Sequence, residues 1–500
     1  MTNGSSTSSP LVMAIDVGGS STKASVFDLG GNVCAVGRES YEPVTSAPGT
    51  VEYDAFAILD ATTLAVATAA KQVDATQIAS VSVDAMMSGA VPVDDDGRPV
   101  GPYTTTLDTR FGNHLTRVLD SCGERIRLLT GSGQPTLGPK IAWLMDDHPD
   151  VADRTAKYTL ASGLVVGHLA GLDAQDAVVD ITHIWTTGLA DVTSGTWDDQ
   201  LCRKQGIDPA QLPRLCRPTD VVGAITPRIA ALTGLRAGTP VTAGCGDQPA
   251  GYVGSGAGEL GRGADSAGTY SVFAGVTAAF SPVHADVSPD IVAHGTGSSY
   301  NCQVMVIGGG MTRQWSSALF GSLSPADLEA AAVESGPGAR GARFVPHLGG
   351  LAYPPRPHLR GAWLGLTWAH VPGDFYRAVL EGIAHSHLHL TSMMRTLHHD
   401  VTFEEVLVYG GGARSNLWNQ IKSDVLGVRY ISVGDAPVAG LGAAMIGAQA
   451  VGLIDDASRH SLQHLAVKRV YDPDPMRHDV YMTAQDHYIA DLEALSAVES

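Results

Sequence analysis

The sequence predicts an α/β fold with two domains. Apolar runs that alternate like β-strands are interspersed with stretches of helical periodicity, which is the order of elements typical of α/β proteins. The chain of 500 residues is 44% hydrophobic and contains 58 glycines, so it is long enough to bury two large cores. A second glycine-rich region begins halfway along the chain. We therefore place the domain boundary near residue 255, between domains at 11–255 and 256–500.

The first domain is predicted to begin with three strands joined by glycine-rich turns. The apolar runs that we interpret as these strands are Leu11–Ile15, Lys23–Phe27 and Val33–Val36. The turns fall at Gly18-Gly19 and Gly30-Gly31, where glycine accepts backbone angles that other residues resist. A helix over 58–73 and a strand over 78–83 follow them.

The second domain is predicted from another glycine-rich region, Gly251 to Gly275, whose GADSAGTYSVFAG stretch indicates a turn between two strands. The later elements that we predict are a helix over Asp374–Leu397, a strand over Glu405–Tyr409, a glycine turn at Gly410–Gly412 and a helix that begins near Ser415. The apolar run from Gly440 to Ile454 is too short to span a bilayer, so it predicts a buried helix.

Composition and charge exclude several classes of function. The formal net charge of −19 would repel the phosphate backbone of a nucleic acid, although a nucleotide can still bind through backbone amides. Residues 1–10 are polar and lack the apolar segment of a signal peptide, so we interpret them as a disordered leader. The six cysteines are scattered without a CxxC pair, which favours a reducing compartment. We expect a cytoplasmic protein without nucleic-acid or membrane partners.

The first motif that indicates chemistry is DVGGSSTK, directly after the first strand. Its glycines allow a phosphate to approach the backbone, while hydroxyls, amides and a lysine can bind the phosphate oxygens. Asp16, at the strand end, can hold a magnesium ion through water. The alternative is an ordinary β-hairpin whose glycines serve only the turn. The residues that we assign to a phosphate site are Gly18, Gly19, Ser20, Ser21, Thr22 and Lys23.

The second motif, GCGDQPAG, places Asp247 between glycines after an apolar strand. A carboxylate held there can reach into a cleft and accept the proton of a substrate hydroxyl, as a kinase requires. Asp247 can equally cap the following helix, since aspartate favours that position. Both interpretations stay open on the residues alone.

The third motif, GGGARSN, ends at Asn416 and joins a strand to a helix. Its glycines allow a flat ring to lie against the backbone, although any strand-to-helix turn can have this composition. Nearby, His385 and His389 are four residues apart and share a helical face, as metal ligands can. No carboxylate completes a zinc-ligand spacing around the histidines at 385–399, so we expect them to pack in the structure.

Taken in order, the three motifs resemble the FGGY family of carbohydrate kinases, over most of the chain from Leu11 to Ile454. Three further stretches resemble its second domain: GAWLGLT from Gly361, YRAVLEGIA from Tyr376 and AGLGAA from Ala439. The resemblance implies two actin-like (ribonuclease H-like) domains with a catalytic cleft between them. It also implies phosphorylation of a sugar or polyol hydroxyl with ATP and Mg²⁺.

The resemblance assigns roles to individual residues. It implies that Asp247 takes the proton of the sugar hydroxyl and that Asp16 and Asp247 hold the magnesium ion. A second phosphate hairpin falls on Gly268 and Thr269. The adenosine site falls on Gly411, Gly412 and Asn416. The domain at 11–255 would bind the sugar and the domain at 256–500 would bind ATP.

The substrate pocket departs from xylulokinase-like members of the family. Their Met-His-Gly element corresponds to MMSG here, so Ser88 replaces a hydrogen-bonding imidazole. Their Trp-Asn-Asp-x-Arg element corresponds to TLDTR, which keeps the acid and the arginine but lacks the aromatic ring. Their Gly-Glu-Arg-x-Pro element corresponds to GLAYP, without its charged pair. The residues expected to bind the substrate are Ser88, Gly89, Asp108, Arg110, Asp247 and Gln248, and the expected substrate is a pentulose, a pentitol or a smaller polyol.

Two other functions stay open. One is a non-catalytic actin-like regulatory protein that binds sugar and nucleotide, against which Asp16, Lys23 and Asp247 argue. The other is a hexokinase-type or acetate-kinase-type member of the same superfold, which the GDQ and AGLGAA stretches do not support. The family resemblance also implies a homodimer.

Overall fold

The structure is a computed structural model, which describes residues 9–282, 289–297, 299–321, 323–433 and 437–498. Residues 1–8 of the predicted leader lie outside these ranges.

The first half of the chain forms a large sheet with helices around it. The strands of this half of the chain are β1 (Leu11–Val17), β2 (Ser21–Asp28), β3 (Val33–Ser40), β4 (Glu52–Tyr53), β5 (Ile78–Ala85), β6 (Val91–Val93), β7 (Tyr103–Thr104), β8 (Lys157–Thr159), β9 (Val178–Asp180), β10 (Ala190–Asp191), β11 (Thr196–Trp197), β12 (Arg214–Cys216), β13 (Val221–Ala224), β14 (Pro240–Thr242) and β15 (Cys245–Gly246). Its helices are α1 (Ala55–Ala70), α2 (Gly112–Thr130), α3 (Leu137–Asp147), α4 (Pro149–Ala152), α5 (Ala161–Ala170), α6 (Asp199–Gln205), α7 (Pro227–Thr233) and α8 (Asp247–Gly254). The strand order in the large sheet is β13-β14-β5-β1-β2-β3, with β15 also beside β5.

The second half forms another large sheet, in the order β18-β19-β17-β16-β22-β23-β24. The strands of this half are β16 (Arg262–Ala267), β17 (Ser271–Thr277), β18 (Asp290–Ala293), β19 (Tyr300–Val306), β20 (Arg343–Val345), β21 (Ala362–Leu364), β22 (Glu405–Tyr409), β23 (Arg429–Ser432) and β24 (Arg469–Tyr471). Its helices are α9 (Gly309–Leu319), α10 (Pro325–Ser335), α11 (Pro372–Leu397), α12 (Asn416–Leu426), α13 (Val438–Ala450), α14 (Ala457–His464) and α15 (Pro475–Val498). In each sheet the first strand has an antiparallel neighbour on one side and a parallel neighbour on the other. The predicted two-domain α/β fold is confirmed.

Strand β1 is buried on both faces. Met13 and Ile15 pack in one core with helix α1, whereas Val12 and Ala14 pack in another core with helix α13. Successive side chains of a strand point to opposite faces, so a strand covered on both sides needs apolar residues throughout. This is the physical reason for the continuous apolar run in the sequence.

Helices α8 and α13 join the two halves of the chain. A Cβ atom on Gly254 would lie 1.8 Å from the carbonyl oxygen of Val438, and one on Gly442 would lie 1.9 Å from that of Ala250. The backbones of the two helices therefore touch, and both positions require glycine. Because α8 begins at Asp247, this contact places the second half of the chain close to that residue.

The predicted elements are present with shifted ends. The first predicted helix begins earlier than expected, at Ala55, because the Asp54 side chain caps it by accepting a hydrogen bond from the Phe56 amide. The strand predicted to end at Val83 continues to Ala85. The predicted buried helix is α13. Of the helices in the described ranges, none has the length and apolar character needed to cross a membrane.

Candidate active site

Three aspartates meet at one edge of the first sheet. Asp16 lies near the end of β1 and is the register partner of Asp84 in the parallel strand β5. Strand β15 lies on the other side of β5, and its residue Cys245 is the register partner of Asp84. Asp247 follows β15 directly. Because neighbouring parallel strands end at the same edge of a sheet, the three carboxylates lie close enough for their charges to interact.

The surroundings of these carboxylates favour a cation. Asp84 is fully buried, and neither of its carboxylate oxygens has a hydrogen-bond partner in the described part of the chain. Burial and the charges of Asp16 and Asp247 raise the pKa of Asp84 well above its usual range. Burial also raises the pKa of Asp16, against the opposing charges of Lys23 and Arg38. Sequence analysis missed Asp84, although its position after the apolar residues of β5 marks it as a carboxylate at a strand end.

Magnesium fits this set of oxygen donors. Carboxylates are its usual protein ligands, and it retains several waters when it binds. No group of three or more His, Cys, Asp or Glu residues in the described ranges is placed to hold a metal ion. An ion at this edge would therefore depend on one or two carboxylates, with water and phosphate as its remaining ligands.

Asp247 is the first residue of α8, and Gly246 rather than Asp247 occupies the cap position. The Asp247 Oδ1 atom accepts a hydrogen bond from the amide of Gln248 at 2.7 Å. Burial raises the pKa of Asp247 to about 7; the Gln248 amide opposes this rise and the charge of Asp16 adds to it. A carboxyl group with a pKa near neutrality is well suited to accept a proton during a reaction.

Two tyrosines hold the first glycine turn. The hydroxyl of Tyr41 donates to the carbonyl oxygen of Gly18, and that of Tyr53 donates to the carbonyl oxygen of Gly19. Gly19 and Ser20 are exposed. The backbone of the turn is therefore held in place while its tip is exposed.

The other residues assigned to this turn have partners elsewhere. The Ser21 hydroxyl accepts a hydrogen bond from Arg38 at 3.1 Å. The Thr22 hydroxyl is buried towards helix α1, and the structure does not bring it to the tip of the turn. Lys23 is the register partner of Asp16 across the hairpin, where its charge opposes the rise in the pKa of Asp16.

A cavity of about 510 Å³ lies beside the second glycine turn. Four residues predicted from the sequence line it: Gly268, Thr269, Gly411 and Gly412. A Cβ atom on Gly411 would meet no other atom within 4 Å, so the backbone there borders open space. Asn416 does not line the cavity, and its Oδ1 atom accepts a hydrogen bond from the Tyr471 hydroxyl at 2.7 Å.

Sequence analysis missed the polar side chains of this cavity. They belong to Arg313, Gln314, Glu329, Arg414 and Ser415. Arg313 lies 4.0 Å from Glu329, and the Ser415 hydroxyl donates to the same carboxylate. Arg313, Gln314 and Glu329 lie on α9 and α10, which carry no motif that marks them in the sequence.

Ser88 and Gly89 form a turn just after β5. Both residues have positive φ angles, 74° and 96°. The Ser88 carbonyl oxygen accepts a hydrogen bond from the Tyr103 hydroxyl at 2.8 Å, and a Cβ atom on Gly89 would lie 2.4 Å from the carbonyl oxygen of Thr104. A serine at positive φ is uncommon and is maintained by its surroundings, which is frequent at binding sites.

Asp108 and Arg110 bind each other. Arg110 donates to Asp108 from Nε at 3.1 Å and from Nη2 at 2.7 Å, and it also pairs with Glu52. Burial acts to raise the pKa of Asp108, but the bonds from Arg110 and from the Val51 amide lower it overall. The Gln248 Oε1 atom, by contrast, is buried without a hydrogen-bond partner among the described residues. It is free to accept a bond from a ligand hydroxyl.

Lys140 lies close enough to Asp108 for their charges to interact, and sequence analysis missed it. Its side chain is fully buried, with Nζ 4.2 Å from the centroid of the Phe111 ring. Burial lowers the pKa of Lys140 to about 7.

Three of the histidines at 385–399 have the surroundings of packed side chains, whereas His399 is exposed. The His385 Nδ1 atom lies 2.7 Å from Gln485 Oε1, and burial lowers the pKa of His385 to about 4. His387 and His398 are also buried. These contacts favour the structural interpretation.

Neighbouring carboxylates with raised pKa values, a fixed glycine turn with an exposed tip, and a cavity beside a second glycine turn form the kind of site that a phosphotransferase uses. Comparison with known proteins agrees. Models of the N-terminal and C-terminal domains of the FGGY family of carbohydrate kinases match residues 11–254 and 272–451. The chain belongs to this family, and it is an ATP-dependent kinase that phosphorylates a sugar or polyol.

Relatives with different substrates resemble the chain to a similar degree. A xylulose kinase of Bacillus subtilis (strain 168) is 27% identical over 490 residues, which cover 95% of each chain. A glycerol kinase of Nocardia farcinica (strain IFM 10152) is 29% identical over 464 residues, which cover 88% of this chain and 90% of that protein. The structure of a ligand-bound xylulose kinase from Lactobacillus acidophilus, 23% identical, covers 98% of this chain and 99% of its own with a TM-score of 0.90. This last likeness shows the fold.

Proposed function

We propose that Asp247 is the general base with which this kinase transfers the γ-phosphoryl group of ATP to a hydroxyl of a small sugar or polyol, yielding a sugar phosphate and ADP. The observation that supports the proposal is the position of Asp247, partly buried at the first turn of α8 beside two other carboxylates, with a pKa raised to about 7. At that pKa it can take the hydroxyl proton as the oxygen attacks phosphorus.

The remaining assigned residues position the nucleotide. The turn at Gly18-Gly19 and the turn at Gly268-Thr269 bind phosphate oxygens, and the cavity beside Gly411 and Gly412 accepts the adenosine. Asn416, which the resemblance also assigned to the adenosine, follows this turn at the start of α12. A magnesium ion held by Asp16 and Asp247 would offset the negative charge of the phosphates.

We assign the sugar site to the residues near β5 and α8. The Ser88-Gly89 turn, the Asp108–Arg110 pair and the unpartnered Oε1 atom of Gln248 supply hydroxyl-binding groups. They suit a pentulose, a pentitol or a smaller polyol, because none of these groups requires a charged substrate.

The proposal extends to the organisation of the enzyme. Residues 11–255 would bind the sugar and residues 256–500 would bind ATP, and closure of the cleft would exclude water from the reaction. The supply of ATP and magnesium supports a cytoplasmic location. A homodimer is also expected, and light scattering of the purified protein tests it.

The experiment is an ADP-release assay with ATP and magnesium against ketoses, aldoses and polyols of three to seven carbons. With the substrate identified, Asp247→Asn should lower kcat by about 10²- to 10⁴-fold while ATP binding is retained. The matched control is Asp491→Asn, which should keep its activity. Asp491 lies on helix α15, where its carboxylate pairs with Arg343. An unchanged rate in Asp247→Asn would rule out the role as base. Absence of turnover across the whole panel, with ATP bound, would contradict the proposed substrate class.

A further inference from the structure

A buried turn at 180–183 lies against the residue that precedes Asp247. Asp180, Thr182 and His183 are all fully buried, although each is polar. Asp180 ends strand β9, and Thr182 lies 64 residues before Gly246, whose peptide it contacts. Nothing in the proposed chemistry uses them.

The contact is a single hydrogen bond with a defined direction. The backbone amide of Gly246 donates to the Thr182 hydroxyl oxygen at 2.8 Å. The same hydroxyl donates its own proton to Asp180 Oδ1, and the Thr182 amide donates to that oxygen at 2.9 Å. Asp180 thus orients the hydroxyl so that its lone pair faces Gly246.

Asp180 is itself fixed. Its second oxygen, Oδ2, lies 3.3 Å from Nε2 of His183, and both side chains are fully buried. This approach is not a hydrogen bond, so the two bonds from Thr182 to Oδ1 are what hold the carboxylate among the described residues. The chain of hydrogen bonds therefore runs from Asp180 through Thr182 to the backbone at Gly246.

Gly246 is where the chain changes from strand β15 to helix α8. It occupies the cap position of α8, and no side chain of its own can satisfy a backbone group there. A Cβ atom at Gly246 would lie 2.7 Å from Met87, so the position also lacks room for a larger residue. The orientation of the next residue, Asp247, depends on how this peptide is held.

We propose that Thr182, oriented by Asp180, is a positioning residue that holds the Gly246 peptide and so aims the Asp247 carboxylate at the substrate hydroxyl. This inference rests on the proposed role of Asp247 as base. A reacting group displaced by about 1 Å can lose about 10²-fold in rate, so a bond this close to the base affects turnover more than it affects substrate binding.

The test compares Thr182→Val with Thr182→Ser and with a control threonine. Valine replaces the hydroxyl with a methyl group of similar size and leaves the Gly246 amide without an acceptor. Thr233→Val is the matched control, because the buried Thr233 hydroxyl also accepts a backbone amide, that of Leu235 at 3.3 Å, but on helix α7. Each variant is assayed for kcat, for KM of ATP and of the sugar, and for its urea unfolding midpoint.

We expect both valine variants to lose similar stability, since each leaves a buried amide unpaired. Only Thr182→Val should lose kcat, by about 10²-fold with little change in KM of ATP, and Thr182→Ser should recover most of it. Equal kcat in the two valine variants would overturn the inference. If Thr182→Val does not fold, Asp180→Asn decides, because it keeps the shape and removes the charge that orients the hydroxyl. Loss of kcat with intact KM of ATP supports the inference, and unchanged kcat overturns it.

Asp247→Asn is measured in parallel to separate the two proposals. If Asp247→Asn keeps its turnover, the base assignment is wrong, and the positioning role of Thr182, which depends on it, is wrong as well. If Asp247→Asn is inactive while Thr182→Val keeps full kcat, only the positioning role fails.

Discussion

The hairpins β1–β2 and β16–β17 occupy the same place in their respective sheets, and each carries an aspartate near its glycine turn. Asp16 lies two residues before Gly18, whereas Asp265 lies three residues before Gly268. Because successive residues of a strand point to opposite faces, this offset of one residue turns the two side chains to different faces relative to the turn. Asp16 joins the other carboxylates at the edge of its sheet, and Asp265 is buried beside Lys422 of helix α12.

The buried aspartate of the second sheet is neutralised. Asp265 Oδ2 lies 2.6 Å from Lys422 Nζ, and Oδ1 accepts a hydrogen bond from the Ser271 hydroxyl at 3.2 Å. The Lys422 ammonium group also lies 3.8 Å from the centroid of the Trp418 ring. In the first sheet, Asp84 has no such partner among the described residues. A buried carboxylate is thus neutralised where a helix supplies a cation, and its pKa is raised where none is supplied.

The largest expected effect is on turnover at the first hairpin. Asp16→Asn should lower kcat by about 10³-fold, equivalent to ~4 kcal/mol, because it removes a charge that we assign to the magnesium ion. The free energy of unfolding should not fall, since one of three neighbouring carboxylates is lost. Kinetic assays and urea unfolding measure the two effects. Asp28→Asn, at the far end of the same hairpin, is the control with unchanged kcat. If Asp16→Asn lost as much free energy of unfolding as it loses in transition-state stabilisation, Asp16 would have a structural role like that of Asp265, and the two sheets would not differ in this respect.

The second hairpin should respond in the opposite way. Lys422→Met should destabilise the protein by about 3 kcal/mol, because it leaves Asp265 buried without a counter-charge. The double variant Asp265→Val with Lys422→Met should recover most of this loss, since the unpaired charge is gone. Urea unfolding of the single and double variants measures it. A double variant as unstable as the single one would show that the loss of stability does not come from the unpaired charge of Asp265.

Acid should destabilise the second half more than the first. Burial lowers the pKa values of its histidines at 294, 347, 385 and 387 to about 4. In the unfolded chain histidine has a pKa of about 6.5, so the unfolded chain binds protons at these positions before the folded protein does as pH falls. This stability is complete above about pH 6.5 and is lost as pH falls towards 4, by about 1 kcal/mol per histidine at pH 5.5.

His387 offers a test of this pH dependence. Neither of its ring nitrogens has a hydrogen-bond partner in the described residues, so His387→Leu removes a proton-binding site without breaking a bond. The difference in unfolding free energy between pH 7 and pH 5.5 should shrink by about 1 kcal/mol. The exposed His399→Gln is the control and should leave the difference unchanged. An unaltered pH dependence in His387→Leu would contradict the assignment of a low pKa.

The smallest effect concerns the way the first turn is held. Tyr41→Phe removes the hydroxyl that donates to the Gly18 carbonyl oxygen and should cost about 1 kcal/mol of stability. Because the turn is proposed to bind phosphate, KM of ATP should also rise by a small factor. Tyr430→Phe in the second sheet is a suitable control, since the buried Tyr430 hydroxyl has no hydrogen-bond partner in the described ranges. Equal behaviour of the two variants would show that the tyrosine bond does not organise the turn.

Local patterns in the sequence were sufficient to predict the α/β class, the glycine turns and most helices and strands near them. Apolar runs and glycine pairs act over a few residues, so their structural meaning does not depend on distant parts of the chain. The same patterns pointed to Asp16 and Asp247, because each follows an apolar strand. Their catalytic roles, and those of the other assigned residues, stay predictions until the variants are measured.

The sequence by itself therefore determined the fold class, the strands and helices beside the glycine turns, and the positions of Asp16 and Asp247 after apolar strands. Only the tertiary structure decided which of those side chains meet. Asp84 joins Asp16 because β5 is the parallel neighbour of β1, and Lys422 reaches Asp265 across 157 residues because α12 packs beneath β16. The physical reason is that strand order and helix packing set the partners of a buried charge, and no local pattern records which distant element will lie opposite.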